Sequence, residues 1–456
     1  MRKLLFACAA LLIAAMYAPA FAQPAGYASE DGFIPNLGMD PDMAAAGKNK
    51  APFVFSYGGW VTPVLIDEKK GSDPDSGSAI VTTKLWMQMT LWPDAYIYVR
   101  GKDDYLIPGS IKDKKFNSAA DDNVYDLDMG YINMTFASGA LRVAAGRKYY
   151  VIGTGLVMNG RADGGEVDIF TNIIDLKAFG AYTGYLKKDN NPYGLSTRDI
   201  ADGSKRVFAG GTIERTMANQ TLYLLGLMQM DKGKEDAGTK TRYQSQYYGG
   251  GLKGVLADGL DYYAEFIYEM GESYIGTTNE KADVKAMAWM LGINYYFDAA
   301  FNPAILFQYA YGSGDKDRGG YKDPTGNTAG DDNGFITFGT YQGGYALRPT
   351  LANLHIARLG GSFVPLYAAS SPTMRRINFL FYYTYYMKDE AKGTINSGEA
   401  PNNSTDVGQG LDAAIRWGIL HDLAFFVNYA AFIPGKAYAS SEPTRHFVMA
   451  GFNLSF

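Results

Sequence analysis

Charged side chains recur at alternate positions in segments otherwise built from β-forming residues. In a strand every second side chain shares a face, so the partners of each charge can be read off. In 79–92, Leu85, Met87, Met89 and Leu91 share one face, which leaves Lys84, Trp86, Gln88 and Thr90 on the other. In 94–100, Ile97 and Val99 oppose Tyr96, Tyr98 and Arg100. In 140–151, Leu141 and Val143 oppose Arg142. In 205–217, Val207, Ala209 and Ile213 oppose Arg206, Thr212 and Glu214. Phe266 and Tyr268 oppose Glu265 and Glu269, and Ile377, Phe379 and Phe381 oppose Arg376 and Asn378. In 407–419, Leu411, Ala413, Ile415 and Trp417 oppose Asp412 and Arg416. Two chemistries fit such a face. A ring of fixed positive charge draws anions along a conduit. Alternatively, Glu214, Glu265, Glu269 and Asp412 pair with the cations and stiffen a wall. Either use requires strands with one apolar face toward lipid, because hydrocarbon excludes bare charge at mid-depth.

Other chemistry finds little support. His355, His421 and His446 are the only histidines, and no serine elbow or placed acid accompanies them, so an outer-membrane lipase is disfavoured. Cys8 is the only cysteine and lies in the leader, which excludes a disulfide framework, a thiolate metal site and covalent haem. No cofactor is expected. Asp315, Asp317, Asp323, Asp331 and Asp332 invite a Ca²⁺ reading, but their spacing is not that of an EF-hand and a solvated acidic loop explains them. The formal net charge of −5 becomes more negative once Arg2 and Lys3 leave with the leader, which argues against nucleic acid as a partner.

The elements that would carry the charged faces follow an export leader. Arg2 and Lys3, the apolar Leu4 to Met16, and Ala20-Phe21-Ala22 read as a signal peptide over 1–22, cleaved after Ala22. The apolar run is short for a membrane anchor, and no long apolar run follows. Residues 23–50 lack strand pattern and read as a periplasmic or plug segment, with Asp40 and Pro41 able to open a short helix. From 51 to 456 the chain alternates between long polar connections and short turns, and the full sequence holds 35 Tyr, 25 Phe and 54 Gly. That rhythm and aromatic content suit an outer-membrane barrel with long outer loops and short periplasmic turns. Upward strands are placed at 53–66, 94–106, 140–151, 175–187, 220–230, 260–271, 303–311, 374–387 and 423–433. Downward strands are placed at 79–92, 123–137, 166–171, 205–217, 242–256, 282–297, 351–364, 407–419 and 445–456. The fold class is thus all-β, one antiparallel transmembrane barrel of eighteen strands, or sixteen if 166–171 and its turn are dropped.

The last strand, RHFVMAGFNLSF, places Val448, Ala450, Phe452, Leu454 and Phe456 on one face. An amphipathic strand with a terminal aromatic resembles the signal read by the barrel-assembly machinery of Gram-negative bacteria. Two further patches are more specific. One is Gly146-Arg147-Lys148 followed by the glycine-rich 153–164, read as a loop. The other is Tyr311-Gly312-Ser313-Gly314-Asp315, which ends a strand and opens the longest loop. Together they resemble the alginate-export family of outer-membrane barrels. That resemblance implies an eighteen-stranded barrel, an arginine-rich lumen and passive passage of an anionic solute, and it adds Arg147 and Arg161 to the candidate pore residues. The expected function is an outer-membrane porin for polar solutes or oligosaccharides, with a preference for anions and no catalysis. The alternative is a barrel sheath around a protein partner such as a multihaem cytochrome.

Overall fold

A computed structural model describes residues 53–456 except 72–75, 111–114, 117–121, 186–192, 196–198, 200–202 and 236–237. The expected signal peptide 1–22 and the 23–50 segment lie outside the described residues. The strands are β1 (Phe55–Lys69), β2 (Ser76–Trp92), β3 (Ala95–Ser110), β4 (Lys115–Phe116), β5 (Asp122–Phe136), β6 (Leu141–Ile152), β7 (Met158–Phe170), β8 (Asp175–Thr183), β9 (Arg206–Met217) and β10 (Gln220–Asp231). They continue as β11 (Gln244–Ala257), β12 (Leu260–Tyr274), β13 (Lys281–Tyr296), β14 (Ala304–Gly312), β15 (Leu354–Phe363), β16 (Ile377–Met387), β17 (Asp406–Gly418), β18 (Leu423–Pro434) and β19 (Arg445–Ser455). The two-residue β4 is an appendage on β3. The other eighteen pair antiparallel with their neighbours, and β1 pairs with β19 from Trp60↔Ser455 to Lys69↔His446, which closes the barrel. Closure leaves no sheet edge to satisfy in lipid.

All eighteen expected strands form, and the weakest, 166–171, is longer than its sequence pattern suggested. It begins at Met158, so the glycine-rich patch is mostly strand, and only 153–157 connects β6 to β7. The alternation comes out as expected. Leu85, Met87, Ile213, Phe266, Phe381 and Leu411 are exposed on the outer wall, whereas Lys84, Arg100, Thr212, Glu265, Glu269 and Asp412 are buried on the inner side. Short turns gather at one end of the barrel, the end expected to face the periplasm. In the turn from β9 to β10, Ala218 (φ 47°) and Asn219 (φ 64°) are both left-handed, the conformation a two-residue hairpin with right-twisted strands requires.

The main apolar core lies inside the barrel. Residues 313–353, between β14 and β15, fold inward. Phe335, Ile336 and Phe338 are fully buried with Phe208, Tyr247, Ile267 and Ala288 of the wall and Leu156 and Val157 of the β6–β7 connection.

Candidate functional site

The basic wall starts at β2 and β3. Lys84 and Arg100 point inward beneath the indole of Trp60, whose ring centre is 5.7 Å from the Lys84 ammonium and 5.4 Å from the Arg100 guanidinium. Both reach Asp128 of β5, Lys84 at 3.9 Å and Arg100 through its Nε. A bulge aims that carboxylate. Arg100 pairs with Met129 and Gly101 with Leu127, so Asp128 is the extra residue on β5. Arg161 of β7 donates to the other oxygen of Asp128 and lies 3.6 Å from Asp126. Three cations thus share one carboxylate that is 1% exposed.

Arg147 and Arg161 reach this cluster by an unusual route. Their strand parity is that of the outward-facing Ala145, Val167 and Ile169, yet both are buried. The pairing of β5 with β6 ends at Gly130↔Arg147, beside the Asp128 bulge. There Arg147 donates to the Leu127 carbonyl at 2.8 Å and to Asp163 at 3.0 Å. Gly146 permits the approach. Its φ is +131°, and a Cβ there would lie 2.3 Å from the Gly130 carbonyl oxygen.

The wall continues through β8. Arg142 pairs with Asp168 at 2.8 Å, Lys148 with Glu166 at 2.6 Å, and Lys177 with Glu166 at 3.7 Å. Lys102 pairs with Asp104 at 2.8 Å. From β2 to β8 ion pairs thus join Lys84, Arg100, Lys102, Arg142, Arg147, Lys148, Arg161 and Lys177 to Asp104, Asp126, Asp128, Asp163, Glu166 and Asp168.

The inward loop lines the remaining wall. Phe338 bridges to Met158, and the Ile336 N–H donates to Glu269 at 2.9 Å. Tyr341 donates to Gln308 at 3.2 Å, and the Gln342 and Gly343 carbonyls accept from Arg358 and Tyr386 at 2.7 and 2.6 Å. The Tyr345 N–H donates to Asp412 at 3.0 Å, and Arg348 pairs with Glu68 of β1. Burial works against the charge on Arg348 and lowers its pKa despite Glu68. The loop therefore contacts the wall at β7, at β12, from β14 to β17 and at β1.

The remaining candidates fall into three groups. Glu265 and Glu269 are latches. Glu265 accepts from the Thr154 N–H and hydroxyl at 2.8 and 2.5 Å and from Tyr223 at 2.7 Å, which ties the β6–β7 connection to β12. Arg206 is a structural anchor, bonded to Asp199 at 2.8 Å, Asp231 at 3.1 Å and the Tyr193 carbonyl at 2.8 Å, with its guanidinium over Phe338. Arg416 donates to Asn428 at 2.7 Å, and the half-buried Glu214 accepts from Thr212 at 3.2 Å. Arg376 differs from expectation. It ends the 3₁₀ turn Met374–Arg376, before β16 begins, and is exposed at the periplasmic rim. The Asp315 carboxylate accepts from the Asp317 N–H and the Asn333 N–H, so hydrogen bonding accounts for it. Among the described residues no group of acids and histidines could hold a metal ion. Sequence reasoning missed Asp128 and Arg358. Asp128 carried a usable signal, since Asp126 and Asp128 flank Leu127 in the alternation of β5.

Comparison with known proteins agrees with this geometry. No curated protein matches the chain. Its fold is shared by Acinetobacter baumannii OccAB1, at 12% identity and TM-score 0.56 over 90% of this chain and 99% of that one. It is shared by Pseudomonas aeruginosa OccK2 in complex with glucuronate, at 11% and 0.56 over 89% and 100%, and by P. aeruginosa OccK8, with the same values. The alginate export family matches residues 201–450, more than half of the sequence. The chain belongs to the alginate export family, on the fold of the outer-membrane channels.

Proposed function

We propose that the protein is an outer-membrane channel for passive passage of polar solutes with a preference for anions, acidic oligosaccharides included. The observation that carries this is the convergence of Lys84, Arg100 and Arg161 on the single carboxylate of Asp128. Arginine stays charged at any ordinary pH, and a field focused between low-dielectric walls raises the local concentration of anions. The OccK2 structure holds glucuronate, a sugar carboxylate, and the same chemistry suits a wall of guanidinium groups. The inward loop also favours a channel over a sheath, because 335–348 occupies lumen that a protein partner would need.

Swelling of liposomes containing the protein tests the proposal with neutral and carboxylated sugars of equal size. The carboxylated sugar should enter faster, and added salt should shrink the difference. Equal entry, or faster entry of the neutral sugar, would remove the anionic preference and leave the charges as wall-stiffening pairs.

A further inference from the structure

Ile336 is gripped twice by the barrel wall. Its N–H donates to Glu269 Oε2 at 2.9 Å, and its carbonyl accepts from the Tyr247 hydroxyl at 2.6 Å. Glu269 Oε1 lies 2.6 Å from the Tyr243 hydroxyl and 3.0 Å from the Tyr247 hydroxyl. Ser245 Oγ donates toward Tyr247 at 3.1 Å. These contacts hold more acceptors than protons. Tyr247 has one hydroxyl proton, and a carbonyl can only accept, so the 2.6 Å bond takes that proton to Ile336. The 3.0 Å contact between Tyr247 and Glu269 then carries a proton only if the carboxyl supplies it. An ionised Glu269, 0% exposed, would press against a phenol lone pair with no solvent to relieve it.

The charged neighbours do not rescue the ionised form. Asp332, from the loop, repels it. Arg318 pairs with Asp332 itself, and Arg206 of β9 is held by Asp199 and Asp231. Tyr243 is a neutral donor, and the one proton of Tyr247 goes to Ile336. We propose that Glu269 is held as a neutral carboxylic acid and is the positioning residue for the inward loop at Ile336, so that its deprotonation costs Ile336 one of its two wall bonds, shifts the loop and widens the pore. On deprotonation the carboxylate keeps the Ile336 N–H but draws the Tyr247 proton, so the Ile336 carbonyl is left buried without a donor and 335–338 shifts against the wall.

The conductance readout rests on the channel reading, and an infrared readout does not. Single-channel conductance of the purified full chain should step upward as pH rises from about 6 to about 9, the range a buried acid can reach. Glu269→Gln presents a permanent N–H to Tyr247 and should stay at the low level throughout. In the infrared, wild type at neutral pH should show the carbonyl band of a protonated acid that Glu269→Gln lacks. A flat wild-type conductance profile, a step that persists in Glu269→Gln, or absence of the acid band would overturn the proposal. A protein that carries no current in any form but keeps the band would sink the channel reading alone.

Discussion

Gly339→Ala should detach the inward loop while leaving the barrel closed. At Gly339 a Cβ would lie 2.0 Å from the Gly155 carbonyl oxygen and 2.2 Å from that of Leu156. Both are backbone atoms and cannot swing aside, so restoring ordinary contact requires the loop and the β6–β7 connection to part by more than about 1 Å. That separation breaks the Thr340 N–H bond to Gly155, 3.2 Å long, and the Thr337 hydroxyl bond to Leu156. Two net hydrogen bonds and the overpacking together amount to about 2–6 kcal/mol at this one contact. Gly155, Leu156, Thr337, Gly339 and Thr340 all lie outside the strands, so the barrel ladder is spared. Single-channel conductance should rise, and protection of the Thr340 amide against exchange should fall, while heat-modifiable gel migration stays that of a folded barrel. Gly319→Ala in the same loop is the control, since its nearest neighbour would be 4.0 Å away. Unchanged conductance and unchanged Thr340 protection in Gly339→Ala would refute the placement of the loop.

Three further outcomes follow from other contacts. Asp128→Asn leaves Lys84, Arg100 and Arg161 buried around a neutral amide, so the denaturation midpoint in detergent should fall by the equivalent of about 3–5 kcal/mol, against about 1 or less for the partly exposed Arg142→Gln. An equal effect of the two variants would contradict the shared-carboxylate cluster. Phe456 is 66% exposed on the lipid face and exchanges two 2.9 Å backbone bonds with Gly59 at the closing seam, so its deletion should slow assembly into the membrane without affecting export. Wild-type assembly kinetics of the truncated chain would remove its proposed role with the assembly machinery. In the outer loop after β16, burial pushes the Asp389 carboxyl upward, but bonds from His355, the Gly314 N–H and Tyr311 outweigh it and hold the pKa below the usual range. A depressed folded value means the contact is at full strength above the ordinary carboxylate pKa and is lost as pH falls through the folded one, so this loop should loosen below about pH 4. A protection factor at the Gly314 amide, corrected for the intrinsic pH dependence of exchange, that is lower at neutral pH than below about pH 4 would show the sign to be wrong.

Much of the barrel is legible because a closed sheet in lipid repeats one rule on every strand. Leu85 and Met87 fix the place of Lys84, and Phe266 fixes that of Glu265, without reference to any other strand. The final strand reads just as clearly, with Phe447 and Met449 buried and Val448, Phe452 and Leu454 exposed. The rule fails where the wall is not a simple alternation. Residues 158–165 hold Gly160, Gly164 and Gly165, and their β-signal is weak because small residues there serve close approach; a Cβ on Gly164 would lie 2.0 Å from the Gly180 carbonyl oxygen. The bulge at Asp128 and the end of the β5–β6 pairing at Gly130↔Arg147 decide which cations meet; the alternation of Asp126, Leu127 and Asp128 marks the acids but not the cations that reach them. The path of 313–353 was equally hidden, because Phe335, Ile336 and Phe338 find their apolar partners on distant strands rather than in their own pattern.

The reversal potential of single channels in a salt gradient is the most direct measurement of the central claim. If the wall of Lys84, Arg100, Arg142 and Arg161 sets the field, wild type should prefer anions, most strongly at low salt, and Arg142→Gln should move the potential toward cations. A wild-type channel that already prefers cations, or an Arg142→Gln channel with an unmoved potential, would contradict it.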